Sequence, residues 1–172
     1  VSDNWALLYA QELAEKNQQP LVVIFCLRTK FGNSTERLVE FMLTGLTEVE
    51  ASLKEKNILF YFLLGEIEKE IPEFVKKHQI GAVISDFSPL KYNRQWKETL
   101  AKKLEIPFFE VDTHNIVPVW EASPKQEYGA YTIRPKIHRL LHEYLVEFPE
   151  LKKQSATWSH KEDKIDWKKI RS

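Results

Sequence analysis

The chain has 172 residues, the length of one ordinary domain, and its 43% hydrophobic and 29% charged residues are enough to build a buried core. Lys plus Arg and Asp plus Glu number 25 each, so no net field draws the protein to DNA or to an anionic membrane, and a nucleic-acid contact must come from a local patch or another domain. A single cysteine excludes an internal disulfide framework, and the longest apolar runs, LVVIFCL and ILFYFLL, fall far short of the ~20 residues of a membrane-spanning helix.

No basic-then-apolar leader opens the chain, which predicts a cytoplasmic protein without membrane contact. Residues 3–16, DNWALLYAQELAEK, space Trp5, Leu8, Tyr9 and Leu13 as a helix, with Ser2 or Asp3 as its cap. LVVIFCL (21–27), entered through Pro20, reads as a strand covered on both faces, the pattern of a parallel sheet. After the polar loop RTKFGN, Asn33 and Glu36 stand three apart as a capping box. They open a helix to about Lys56 whose Leu38, Phe41, Met42, Leu46, Val49 and Leu53 lie along one stripe.

ILFYFLLG (58–65) is the next strand, followed by a helix over 66–78 with Ile71, Phe74 and Val75 inward and Pro72 in its first turns. GAVISDF (81–87) is the third strand. SPL then leads into a helix over about 91–104 carrying Trp96 and Leu100, and IPFFEVD (106–112) is the fourth strand.

Short apolar strands alternating with helices predict an α/β fold: a Rossmann-like, doubly wound parallel sheet in three layers, α/β/α. The first element is nevertheless a helix, whereas such a sheet opens with a central strand feeding that helix. The pattern expects a strand upstream of Val1. The alternatives are a four-stranded sheet or one completed by the tail, and a sheet split into two unpaired halves would count against this topology.

After residue 112 the pattern changes. Residues 113–132 read as irregular, and IRPKIHRLLHEYLVEF (133–148) as a helix with Pro135 near its first turn. The polar remainder reads as a connector that stands outside any core.

Five glycines form neither G-x-G-x-x-G nor a P-loop, and there is no G-x-S-x-G elbow, so dinucleotide, triphosphate and serine-hydrolase chemistry lack their motifs. Cys26 sits within an apolar strand, where a thiol is core and not nucleophile. His138 and His142 are four apart on the late helix, but without the H-E-x-x-H glutamate and beside Lys136 and Arg139 they read as a solvated face and not a metal site. Three polar loops should meet at one sheet edge: Arg28, Thr29 and Lys30 after the first strand, Asp86, Phe87 and Ser88 after the third, and Asp112 and His114 after the fourth. Asp86 and Ser88 could equally cap the next helix. No pair forms a nucleophile and its base, so the edge reads as a binding cleft.

SDNWALLYAQ at the start, DFSPL after the third strand, EVDTHNIVPVWEASPKQEYGAYTIRPKIH and the trailing IDWKK together resemble the N-terminal domain of class II cyclobutane pyrimidine dimer DNA photolyases. The likeness spans nearly the whole chain, and the 110–138 block is its specific part. It implies a two-domain, light-driven repair enzyme. An N-terminal Rossmann-like domain supports an antenna chromophore, a deazaflavin or a folate, and a C-terminal helical domain binds FAD and the pyrimidine dimer of UV-damaged DNA. Residues 1–132 would then be the antenna domain and 133–172 the connector toward the FAD-binding domain, so that this part alone is not catalytic.

Within that resemblance, Arg28, Asp86, Phe87 and Ser88 are expected to contact the antenna, and His114, Trp120, Arg134 and Lys136 to face the flavin domain; no metal is expected. Three other readings compete. One is a cryptochrome-like blue-light receptor. A second is a nucleotide-binding domain of the universal-stress type, which wants a Gly-rich phosphate loop that the sequence lacks. The third is a scaffold whose Trp-rich tail docks a partner.

Overall fold

A computed structural model describes residues 2–28, 35–159 and 165–171. Along them run α1 (Trp5–Lys16), β1 (Val22–Leu27), α2 (Glu36–Glu55), β2 (Leu59–Leu64), α3 (Ile67–His78), β3 (Val83–Asp86), α4 (Lys91–Lys103), β4 (Phe108–Val111), α5 (Val119–Ala122), α6 (Ala130–Tyr144) and α7 (Trp167–Arg171). No described helix is long and apolar enough to cross a membrane.

β1 pairs with β2, and β3 with β4, all in parallel, but the two pairs are not bonded to each other. Among the described residues the sheet is therefore split, the outcome that counts against one continuous sheet. The layering holds all the same. Successive side chains on a strand point to opposite faces. Val23 and Phe25 of β1 and Phe60 and Phe62 of β2 meet Leu7 and Leu8 of α1 and Leu46, Val49 and Leu53 of α2. On the other face Ile24, Cys26 and Leu63 meet Ile71 and Val75 of α3 and Trp96 and Leu100 of α4. Helices on both faces of parallel strands make the three-layer, Rossmann-like α/β arrangement.

Local details differ from the sequence expectation. Asn4, and not Ser2 or Asp3, caps α1, its side chain accepting the Leu7 backbone N–H at 2.6 Å. Asn33 of the expected capping box lies outside the described residues, and α2 starts at Glu36 behind Thr35, which makes no side-chain cap. The inward line of α2 begins at Leu43, with Phe41 80% and Leu38 54% exposed. Phe41 is two residues, about 200°, away from Leu43 and faces outward. The 113–132 stretch includes the short α5, and α6 begins at Ala130, so Pro135 falls in its second turn.

The tail is also not outside the core. Leu151 is buried with Leu53, Ile58 and Phe60, and Ile165 and Trp167 pack on the same cluster. Gln154 donates to Asn57 O at 2.9 Å, its backbone N–H bonds Lys56 O at 2.8 Å, and Trp158 Nε1 donates to Tyr61 Oη at 2.7 Å. A few well-placed apolar and amide groups hold the segment down, which a polar composition conceals.

Candidate functional site

Parallel pairing brings the C-terminal ends of the strands to one edge of each sheet. Arg28 leaves β1 there, Asp86 ends β3 ahead of Phe87 and Ser88, and Asp112, Thr113 and His114 follow β4.

Arg28 is fixed by the turn into α3. Gly65 bonds its N–H to Leu27 O at 2.9 Å and holds φ 152°, a backbone conformation that side-chain-bearing residues rarely adopt, so glycine is favoured there. The turn delivers Glu66 and Glu68, which both pair with Arg28, Glu66 at 3.3 Å. The guanidinium also lies over the Tyr92 ring, 4.9 Å from its centroid. Burial alone would push Glu68 up, but its own backbone N–H and Arg28 outweigh this and hold its carboxyl below the usual range. Burial likewise opposes the Arg28 charge and is outweighed by Glu68, so the guanidinium stays ionised. Its Nε is buried without a partner among the described residues.

Neighbouring Cys26 has its thiol pushed up to about 11, first by burial and then by Glu70, so it is held as an unreactive thiol.

At β3, Asp86 O accepts from Lys97 Nζ, which also pairs with Glu110 of β4. This lysine side chain, 8% exposed, ties the ends of the two strands together from below. Asp86 Oδ1 is buried without a partner among the described residues. Ser88 accepts from Asn93 Nδ2 at 2.8 Å, and α4 starts at Lys91 with no side-chain cap, so the capping explanation of Asp86 and Ser88 fails. Phe87 meets the edge of Trp120, ring centroids 5.6 Å apart.

After β4, buried Asp112 organises the loop by accepting Asn115 N at 3.2 Å, Asn115 Nδ2 at 2.9 Å and Val119 N at 3.1 Å. His114 is left exposed. Lys136 of α6 donates to Ser123 Oγ at 3.0 Å and pairs with Glu127, pinning the helix to the preceding loop, while Arg134 projects outward.

The edge thus brings Asp86, Phe87 and Trp120 near one another and surrounds Arg28 with its own shell. Thr29 and Lys30 lie outside the described residues. His138 and His142 are exposed, and no group of metal-ligating side chains assembles among the described residues. Sequence reading missed Glu66, Glu68, Tyr92, Lys97 and Glu127. A signal existed only for Lys97, which shares the helical stripe of Trp96 and Leu100.

Residues 1–153 match the protein family described as DNA photolyase. The chain is 46% identical over its full length to the deoxyribodipyrimidine photo-lyase of Potorous tridactylus, of which it covers 33%. It is 39% identical, over 97% of its length, to the enzyme of the same name from Arabidopsis thaliana, covering 34% of that protein. Among solved structures, the photolyase of Sulfolobus tokodaii, described as holding two FAD molecules and implicating a novel light-harvesting cofactor, superposes with a TM-score of 0.62. That likeness covers 90% of this chain and 34% of the archaeal one at 20% identity, and it bears on the fold.

Proposed function

Because the chain belongs to the DNA photolyase family, we propose that it is the antenna-bearing part of a class II deoxyribodipyrimidine photo-lyase, which uses light to split UV-induced pyrimidine dimers. The observation that carries this reading is the 46% identity, sustained along the whole chain, to a protein of that name. The chain spans about a third of the length of the curated relatives it matches, so repair is the activity of the longer protein. FAD and the damaged DNA belong to its helical domain.

Within that enzyme, residues 1–132 form the antenna body, on which 151–158 and 165–167 pack, and the segment from 133 onward, with α6, leads toward the flavin domain. Asp86 Oδ1, buried without a partner among the described residues beside Phe87 and Ser88, suits a ligand that brings a donor, as a deazaflavin or folate antenna would. Such a chromophore, when bound, supplies absorption of light. Asp86 would accept from it beside Phe87 and Ser88, and Arg28, its position set by Glu68, would border it.

His114, Trp120 and Arg134 face the flavin domain, while Lys136 sets the pose of α6 from within. Exposed Trp120, Tyr128 and Tyr131 on and beside α5 and α6 support a lasting contact there.

The test is to express the full-length protein, record its absorption and illuminate it with dimer-containing DNA. A flavin spectrum with light-dependent loss of dimers is expected. A full-length protein that takes up no flavin on reconstitution and leaves dimers intact sinks the reading.

A further inference from the structure

Ser123 is the hub of the polar network that joins α5 to α6. Its hydroxyl donates to Glu127 Oε1 at 2.7 Å and accepts from Lys136 Nζ at 3.0 Å, and Lys136 also pairs with Glu127. The Glu127 side chain is 8% exposed, and its carboxylate is a full anion, held down to about 2 chiefly by Lys136. Because α6 buries none of its residues, it leans on α5 and on this network.

The same serine opens the stretch Ser123, Pro124, Lys125, Gln126. A proline disfavours helical backbone in the residue before it, and Ser123 is extended at φ −160° and ψ 137°. Pro124, Lys125 and Gln126 are exposed, and residues 123–129 form neither helix nor strand. An exposed, extended serine followed directly by proline is the form of substrate that proline-directed protein kinases accept. Their active sites leave no acceptor for the backbone N–H that proline lacks.

We propose that Ser123 is a phosphorylation site for a proline-directed Ser/Thr protein kinase, and that the phosphate unlocks α6 from α5. The γ-phosphoryl group of ATP passes to Ser123 Oγ, the bond to ADP breaks, and the hydroxyl proton is released. That proton is the one Ser123 donates to Glu127. Its replacement sets a group of about −1.5 to −2 charge against a carboxylate whose oxygen lies 2.7 Å from Oγ. One ammonium cannot neutralise both anions. Lys136 turns to the phosphate, the stronger acceptor, and Glu127 is driven out toward solvent. The 123–129 loop then loses its hold on α6. Site and unlocking stand on this network alone; that unlocking weakens the contact with the flavin domain rests on the proposed function.

The experiment treats the full-length protein with a purified kinase of the cyclin-dependent class and ATP, then maps the phosphate by mass spectrometry. Phosphate is expected on Ser123, and about tenfold less of it on a Pro124→Ala variant, which regains the N–H. In the phosphorylated protein the amides of α6 should exchange with solvent about tenfold faster than in the unmodified one. In a Glu127→Gln background the side-chain amide can donate to the phosphate, so there phosphorylation should leave α6 exchange unchanged or slow it. An unmodified Ser123 after treatment of the folded protein overturns the site. No acceleration in the parent, or equal acceleration in parent and Glu127→Gln, overturns the unlocking. None of these readouts uses flavin or light, so a failure of the photolyase reading is told apart from a failure here.

Discussion

Two charged side chains in this protein do structural work that their residue types conceal. Lys97 is buried on the stripe of α4 and bridges Asp86 O on β3 to Glu110 on β4. Replacing it with Met keeps the aliphatic stem but leaves a carbonyl and a carboxylate without their donor, which should cost about 2 kcal/mol in denaturant unfolding. The carboxylate of Glu127 is held at about 2, below its usual 4.5, chiefly by the Lys136 hydrogen bond and then by those of Ser123 and Thr132. A group whose folded value is depressed stabilises the protein above its unfolded value and loses that contribution as pH falls toward the folded one. Glu127→Gln should therefore be less stable than the parent at neutral pH, and the gap should close between about 4.5 and 2. Unfolding midpoints measured across that window check it; a gap independent of pH would assign Glu127 a purely steric role.

At the scale of elements, α2 separates what periodicity reveals from what it hides. Leu53 is fully buried and Phe41 is 80% exposed, although a single apolar stripe read from sequence includes both. Leu53→Ala should cost about 3 kcal/mol, and Phe41→Ala less than about 0.5 kcal/mol, in the same unfolding assay. The four strands and the five longer helices were legible because continuous apolar runs and 3.6-residue spacing are local signals. The shell of Arg28 was not, because Glu66 and Glu68 arrive from about forty residues downstream, through a turn that Gly65 favours. The tail was misread for a related reason. Gln154 holds it by bonds to Asn57 O and Lys56 O, which leave no periodic trace. Gln154→Ala keeps the backbone bond to Lys56 O but removes the side-chain bonds to Asn57 O and Leu21 N–H, which should cost about 1–3 kcal/mol, with Trp158 fluorescence shifting if its contact with Tyr61 loosens.

For the molecule as a whole, the two ends of the C-terminal region behave in opposite ways. Residues 151–158 and 165–167 are stitched to the α/β body, yet α6 buries none of its residues and touches the rest mainly through α5 and the Lys136 contacts. Around these two helices Ile116, Trp120, Tyr128 and Tyr131 are all exposed, the two tyrosines at 90% and 84%. So much apolar and aromatic surface grouped on α5, α6 and their flanking loops is unusual for a free face and suits a partner that covers it permanently. Tyr131 projects from a helix whose own fold does not need it, so Tyr131→Asp should leave the unfolding midpoint of the 172-residue chain unchanged. In the full-length protein the same change would place an unpaired charge against a covered apolar surface, which is costly. There it should lower the thermal midpoint and, under the proposed function, weaken the antenna's contribution to the action spectrum of dimer repair while repair driven by direct flavin absorption persists. Equal, negligible effects in both proteins would mean that α6 faces solvent and that the flavin domain sits on another side of the α/β body.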